Sequence, residues 1–137
     1  MSKLIVLLAS GTRGDVQPFI TLALGLQSAG YRVRVAAHAS AQQLVENRAL
    51  PFALLESNPS ELLLQPEWES ALVFEKGWGG GLRASLRFMH AARPLYKRML
   101  ETAWQACQGA DAVIVGLPTM WGEHIAEALK VPCVYAL

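Results

Sequence analysis

Lys3-Leu-Ile-Val-Leu-Leu-Ala-Ser-Gly-Thr-Arg-Gly-Asp-Val-Gln-Pro18 is the stretch whose reading decides the fold. Leu4 to Ala9 is an unbroken apolar run of six residues, the pattern of a strand buried on both faces. Gly11 and Gly14 punctuate the turn that follows. Pro18 suits the first turn of a helix, where its missing N–H costs no hydrogen bond. The unit reads strand, turn, helix, with the helix beginning at Pro18. Its turn falls at the carboxyl end of a parallel strand, the edge at which open α/β sheets bind ligands.

Working outward, strands and helices alternate, the signature of a parallel sheet. The first helix is predicted from Pro18 to Ala29, with Phe19, Leu22, Leu26 and Ala29 at helical spacing and Gly30 as its stop. Strand two is Tyr31 to Ala37. A short helix follows Ser40, read as its N-cap, to Asn47. Strand three is Pro51 to Leu55, and Glu56 to Gly81 reads as a long excursion without clear periodicity. Leu82 to Cys107 reads as one amphipathic helix kinked near Pro94. Strand four is Ala112 to Val115, a helix covers Trp121 to Lys130, and strand five is Val131 to Leu137. The predicted class is α/β: a Rossmann-like parallel sheet with helices on both faces, in one domain over residues 1–137.

Bulk properties agree with a buried sheet. Hydrophobic residues make up 53% of the chain and its net charge is +1, with a mean hydropathy of +0.26. Cys107 and Cys133 stand in unrelated contexts, so neither a disulfide framework nor a zinc site is indicated, and a reduced, cytoplasmic setting is expected. The apolar start is too short for a signal peptide and runs into Gly-Thr-Arg-Gly-Asp instead of a cleavage site. No apolar run approaches a membrane span.

The turn has rivals. Gly11-x-x-Gly14 before a helix can cradle phosphate through backbone N–H groups. It is not Gly-x-Gly-x-x-Gly, and no Lys-Ser/Thr follows it. Strand two ends in Ala36-Ala37-His38, without the acidic residue a dinucleotide site requires. Arg13-Gly14-Asp15 also spells an adhesion tripeptide, read as coincidence given the cytoplasmic setting expected.

Gly11-Thr-Arg-Gly-Asp-Val-Gln-Pro18, the helix after it and Ala29-Gly-Tyr-Arg-Val-Arg-Val35 resemble the amino-terminal domain of GT-B-fold glycosyltransferases. The similarity is to the branch of sterol glucosyltransferases and glycopeptide-antibiotic glycosyltransferases. Asp111-Ala-Val-Ile-Val-Gly116 and His124-Ile-Ala-Glu-Ala-Leu-Lys-Val-Pro132 are also similar to that domain, so both ends of the chain are covered. The resemblance implies half of a GT-B fold, the acceptor side, with the donor-binding domain supplied elsewhere in cis or in trans. It implies an inverting hexosyl transfer from a nucleotide-sugar, UDP- or dTDP-linked, to a hydroxyl of an apolar sterol, lipid or natural product. No cofactor is expected on this domain itself, and the isolated chain is expected to be inactive.

Many members carry Gly-His-x-x-Pro in the turn, with the histidine as base. This chain has Gly14-Asp15-x-x-Pro18, and the resemblance gives the Asp15 carboxylate that role. Gly11, Thr12, Arg13 and Gly14 would form the turn that contacts acceptor or donor. A base must lie within hydrogen-bond reach of the proton it takes. A helix amino terminus stabilises a charged carboxylate and weakens it as a base, whereas burial against an apolar acceptor does the reverse. Residue physics alone leaves a second reading open, that Asp15 is an N-cap.

His38 and His124 fall on the same predicted edge and are candidates for the acceptor pocket, with structural or solvent-facing roles as the alternative. No His, Cys or carboxylate set has metal-ligand spacing, and no protein-bound metal is expected. Trp68, Phe74, Trp78 and Phe88 flank or open the middle region, the segment that the resemblance implies helps form the acceptor pocket. Trp78 and Phe88 in particular suit a pocket for a flat apolar alcohol, or equally an ordinary core.

The charge is split. Glu46 to Glu75 holds six Glu and one Arg, net −5, while Lys76 to Gln108 holds six basic residues and one Glu, net +5. Arg83, Arg87, Lys97 and Arg98 share a polar stripe on the long helix, either a solvated back or a surface for anionic lipid. Nucleic acid is not a partner suggested by this pattern, since the basic stripe lacks interleaved aromatics. The rival to the acceptor-domain reading is a non-catalytic subunit held at a membrane by this helix and paired with a catalytic chain.

Overall fold

The computed structural model describes residues 2–62, 65, 66, 68 and 77–137, with the side chains of residues 60 and 77–81 left aside. Five parallel strands form one sheet in the order β3-β2-β1-β4-β5. They are β1 (Leu4–Leu8), β2 (Arg32–Ala37), β3 (Phe52–Leu54), β4 (Ala112–Val115) and β5 (Cys133–Tyr135). The central strand β1 is buried at every position. It pairs Ile5 with Val33 and Leu7 with Val35 on one side, and Val6 with Val113 and Leu8 with Val115 on the other.

Alternation along β1 makes two cores, because successive side chains leave a strand on opposite faces. Ile5, Leu7 and Ala9 pack under α1 (Arg13–Ser28) and α2 (Gln42–Glu46). Leu4, Val6 and Leu8 pack under a long helix α4 (Gly77–Ala106) and α5 (Gly122–Leu129). A single-turn helix α3 (Pro59–Leu62) precedes α4. The α/β class with helices on both faces is therefore observed. Gly122 lets α5 lie close to the sheet: a Cβ there would stand 2.6 Å from Leu8 Cδ1 and 2.7 Å from Val115 Cγ1.

Helix α1 begins five residues before the predicted start. Thr12 is its N-cap, and Pro18 lies inside it. Its buried face is Val16, Phe19, Ile20 and Ala23, whereas Leu22, at helical spacing from Phe19, is 37% exposed. The end follows the reading more closely. Gly30 takes φ +97°, its N–H donates to Gln27 O at 3.1 Å, and Tyr31 N–H donates to Leu26 O at 3.1 Å, the Schellman arrangement. Ser40 is not an N-cap: it lies within a 3₁₀ turn, Ala39–Ala41, that His38 opens.

Helix α4 also starts five residues earlier than predicted and runs through Gly79-Gly-Gly81 and Pro94. Its carboxyl end is held by Arg34, whose Nη1 donates to Ala106 O at 2.6 Å and Gln108 O at 3.3 Å. A cation there also suits the helix dipole. Glu56, just past β3, donates its N–H to Thr102 Oγ1 at 3.1 Å and pairs with Arg98 at 3.5 Å. The helix thus crosses the sheet between residues 106 and about 98, and the residues before that project past Glu56 at the carboxyl edge, with Ala92 still buried.

A candidate acceptor site at the carboxyl edge

The strand order reverses at β1, with β2 on one side and β4 on the other. The crevice between the carboxyl ends of β1 and β4 is the switch point where such sheets take ligands. A cavity of about 380 Å³ lies there, between the turn after β1 and the turn after β4. Ser10, Gly14, Asp15 and Pro18 form one wall. Gly116, Leu117, Pro118 and Thr119 form the other, and Phe19, Leu22 and Leu8 supply apolar floor. A second hollow of about 370 Å³ lies on the far side of the same turn, against Gly11, Thr12, Arg13, Gln43 and Asn47. The four predicted turn residues and Asp15 thus divide between two adjoining hollows.

Asp15 is exposed and occupies the third position of α1. Its Oδ2 accepts from Thr12 N–H at 2.7 Å and from Thr12 Oγ1–H at 2.8 Å. This is the carboxylate arm of a capping box, so Asp15 caps through position N3 and not as the N-cap of the sequence reading. Both described side-chain bonds fall on Oδ2, which leaves Oδ1 for other work among the described residues. Gly11 enforces the arrangement. Its φ is +121°, and a Cβ there would lie 2.5 Å from Asp15 Oδ2.

His38 is buried. Its Nδ1 lies 3.0 Å from Leu55 O and its Nε2 2.9 Å from Ser10 Oγ. A carbonyl only accepts, so Nδ1 carries the proton and Nε2 receives the Ser10 hydroxyl proton. Burial holds the ring's pKa below the ordinary 6.5, against a smaller opposing pull from the Leu55 bond and Glu61. His38 therefore does not line the cavity; it touches Ser10, which does. Thr119 mirrors this on the other side: its Oγ1 donates to Leu8 O at 2.8 Å and accepts from Gly116 N–H at 2.8 Å. Sequence reading missed Ser10 and Thr119. A hydroxyl between an apolar run and Gly11 was the available sign for Ser10, and Thr119 had none.

The other candidates stand apart from this cavity. His124 is on the exposed side of α5, 3.8 Å from Glu127. Phe88 is half-buried on the projecting part of α4 and packs edge-to-face on Trp68, with ring centroids 5.4 Å apart and planes at 80°. Trp68 lines a separate open hollow with Leu86, Arg87 and His90. Trp78 is placed only as a backbone position of α4, and its side chain, like Phe74, lies outside the described residues. Of the basic stripe, Arg98 pairs with Glu56 and Lys97 with Glu101, at 3.5 and 3.9 Å. Arg83 and Arg87 have no ion pair among the described residues.

Cys107 and Cys133, unrelated in sequence, meet the same core layer as free thiols. Burial pushes the Cys107 thiol up to about 12. No group of three or more His, Cys, Asp or Glu suited to a metal occurs among the described residues. No helix among them is long and apolar enough to cross a membrane.

Residues 5–136 match the Glycosyltransferase family 28 N-terminal domain. The chain belongs to that family. Relatives of this family 28 domain include the sterol 3-beta-glucosyltransferase of Eremothecium gossypii, 41% identical over 129 residues, which cover 92% of this chain and 10% of that protein. The sterol 3-beta-glucosyltransferase of Debaryomyces hansenii is 37% identical over 132 residues, 95% of this chain and 8% of that protein. The family 28 domain thus spans a tenth or less of these two relatives. Among solved structures, Streptomyces sp. SF2575 glycosyltransferase SsfS6 aligns at a TM-score of 0.69 and 23% identity, covering 97% of this chain and 38% of that one. The calicheamicin glycosyltransferase CalG4 aligns at 0.64 and 19%, covering 98% and 32%. At those identities the structures speak for the fold of a glycosyltransferase domain.

Proposed function

We propose that this family 28 domain is the acceptor side of an inverting glycosyltransferase that moves a hexose from a nucleotide-sugar to the hydroxyl of an apolar alcohol, with sterols the leading class. The observation that carries the reading is Asp15 on the wall of an apolar-floored cavity at the switch point of the sheet. The sterol glucosyltransferase relatives supply the substrate class. The donor is held by a domain elsewhere in the complete enzyme, UDP- or dTDP-linked; SsfS6 has been crystallised with thymidine diphosphate.

In this mechanism the acceptor hydroxyl donates to Asp15 Oδ1 while Thr12 keeps Oδ2 in place. The carboxylate takes the proton as the oxygen attacks the anomeric carbon. The bond to the nucleotide diphosphate breaks on the opposite face, so the configuration inverts and the diphosphate leaves with the electron pair. An apolar acceptor filling the cavity excludes water from beside an otherwise exposed Asp15.

Asp15→Asn in the complete enzyme tests the assignment, since an amide oxygen still accepts from Thr12 while the base is lost. Turnover should fall about 100-fold or more, the usual scale for a general base, with acceptor affinity and melting temperature nearly kept. Full activity would refute it.

The acceptor's route is a second part of the reading. Leu82, Leu86 and Met89 are 65%, 57% and 66% exposed on the projecting part of α4, beside Arg83 and Arg87. An apolar stripe bordered by cations suits the surface of an anionic membrane, and a cytoplasmic enzyme that rests there meets its acceptor directly. Changing Arg83, Arg87 and Lys97 to Glu should release the enzyme from phosphatidylserine vesicles. Release by those changes together with an active Asp15→Asn protein would favour the anchoring-subunit alternative.

A further inference from the structure

Ser10, His38 and Thr119 are the buried polar or charged side chains of the described residues, and all three lie at the carboxyl edge beside the exit of β1. Burying a hydroxyl or an imidazole is unfavourable unless it is hydrogen-bonded, and each of the three is. What they do share is a target. Thr119 bonds Leu8 O on the β4 side, and His38 bonds Ser10 on the β2 side while anchored to Leu55 O beyond β3. The strand exit is therefore held from both flanks by bonds of 2.8 to 3.0 Å.

We propose that Ser10 and His38 are positioning residues for the Asp15 turn, their buried bond fixing where the carboxylate meets the acceptor. The proposal rests on Asp15 being the base. The connection is short: Ser10 leads through Gly11 to Thr12, whose N–H and hydroxyl hold Asp15 Oδ2. Gly11, with φ +121°, has no side chain to brace the turn, so the bracing comes from the residue before it. His38 acts as a neutral strut with a defined tautomer. It touches neither hollow, so it is not itself a catalytic residue.

The test is a double-mutant cycle in the full-length enzyme, assayed with cholesterol and UDP-glucose and with dTDP-glucose as alternative donor. His38→Leu should lower kcat by about 100-fold, the scale of a misplacement near 1 Å, with donor KM unchanged. In the Asp15→Asn background the same change should cost less than about threefold, because residues that act through one group are not additive. His38→Gln, whose amide oxygen can take the Ser10 proton, should recover part of the loss. An equal loss in both backgrounds, or no loss in either, overturns the proposal. Imidazole ¹⁵N NMR of the unmodified protein gives a readout free of activity and of mutant folding. It should show a protonated Nδ1 and a bare Nε2 at pH 7; the opposite tautomer or a charged ring sinks the proposal alone. Full activity of Asp15→Asn would sink the base assignment and this proposal with it.

Discussion

The Asp15 turn and the projecting half of α4 stand at the same edge of one sheet and are built in opposite ways. The turn is short, and the strand end it leaves is tied by buried polar bonds to both neighbouring strands. The helix exposes Leu82, Leu86 and Met89, each by more than half, beside a half-buried Phe88. The chemistry proposed for the turn would depend on where one oxygen points, and hydrogen bonds fix direction. Contact with an apolar molecule or surface depends on area, which needs no direction. Under the proposed reading, that difference would account for the buried polar groups of one region and the exposed apolar side chains of the other.

That contrast can be broken from the turn outward. Gly11→Ala should have the largest effect, since a Cβ would strike the Asp15 carboxylate and the backbone would sit where only glycine is at ease. A turnover loss of about 100-fold and a stability loss of about 1–3 kcal/mol are expected, by steady-state assay and denaturant melts. Gly122→Ala should cost a similar 1–3 kcal/mol, roughly, through overpacking against Leu8 and Val115, with turnover per folded molecule largely kept. A large loss of turnover there would mean the site is less separable from the core than the contrast holds.

A smaller effect distinguishes the His38 strut by pH. Burial lowers its pKa in the folded state below 6.5, so the unfolded chain binds more protons once the pH falls to that range. Stability contributed by the neutral ring is present above the unfolded value and is lost on acidification. The melting temperature should drop between pH 7 and pH 5, and His38→Gln should flatten that drop; an unchanged slope would remove His38 as its source. The smallest effect is expected on α4. Leu86→Gln with Met89→Gln should leave stability within about 0.5 kcal/mol, as for exposed positions generally, while weakening vesicle binding. A marked loss of stability would show that this face is structural after all.

What was legible in the chain was what neighbours in sequence decide. β4 was read to its bounds, β1 within one residue, and the helix stop at Gly30 held, because each depends on a local apolar run or a glycine. The start of α1 was missed through one competing signal: Pro18 looked like a first-turn residue, whereas Thr12-Arg-Gly-Asp15 is itself a capping-box pattern. The start of α4 was missed because three glycines argue against a helix, and the helix runs through them. The Asp15 turn was readable as a turn at the carboxyl edge, where a cavity lies, but the bond from Ser10 to His38 spans 28 positions and that from His38 to Leu55 spans 17. Such partners are made by strand order, which a linear pattern does not display.

Pro18 inside α1 carries one more consequence. With no N–H, it withholds from the Gly14 carbonyl the donor that lies four residues ahead elsewhere in a helix. Gly14 and Pro18 both border the cavity beside Asp15, so the rung absent from the helix ladder falls in the stretch that forms the cavity wall.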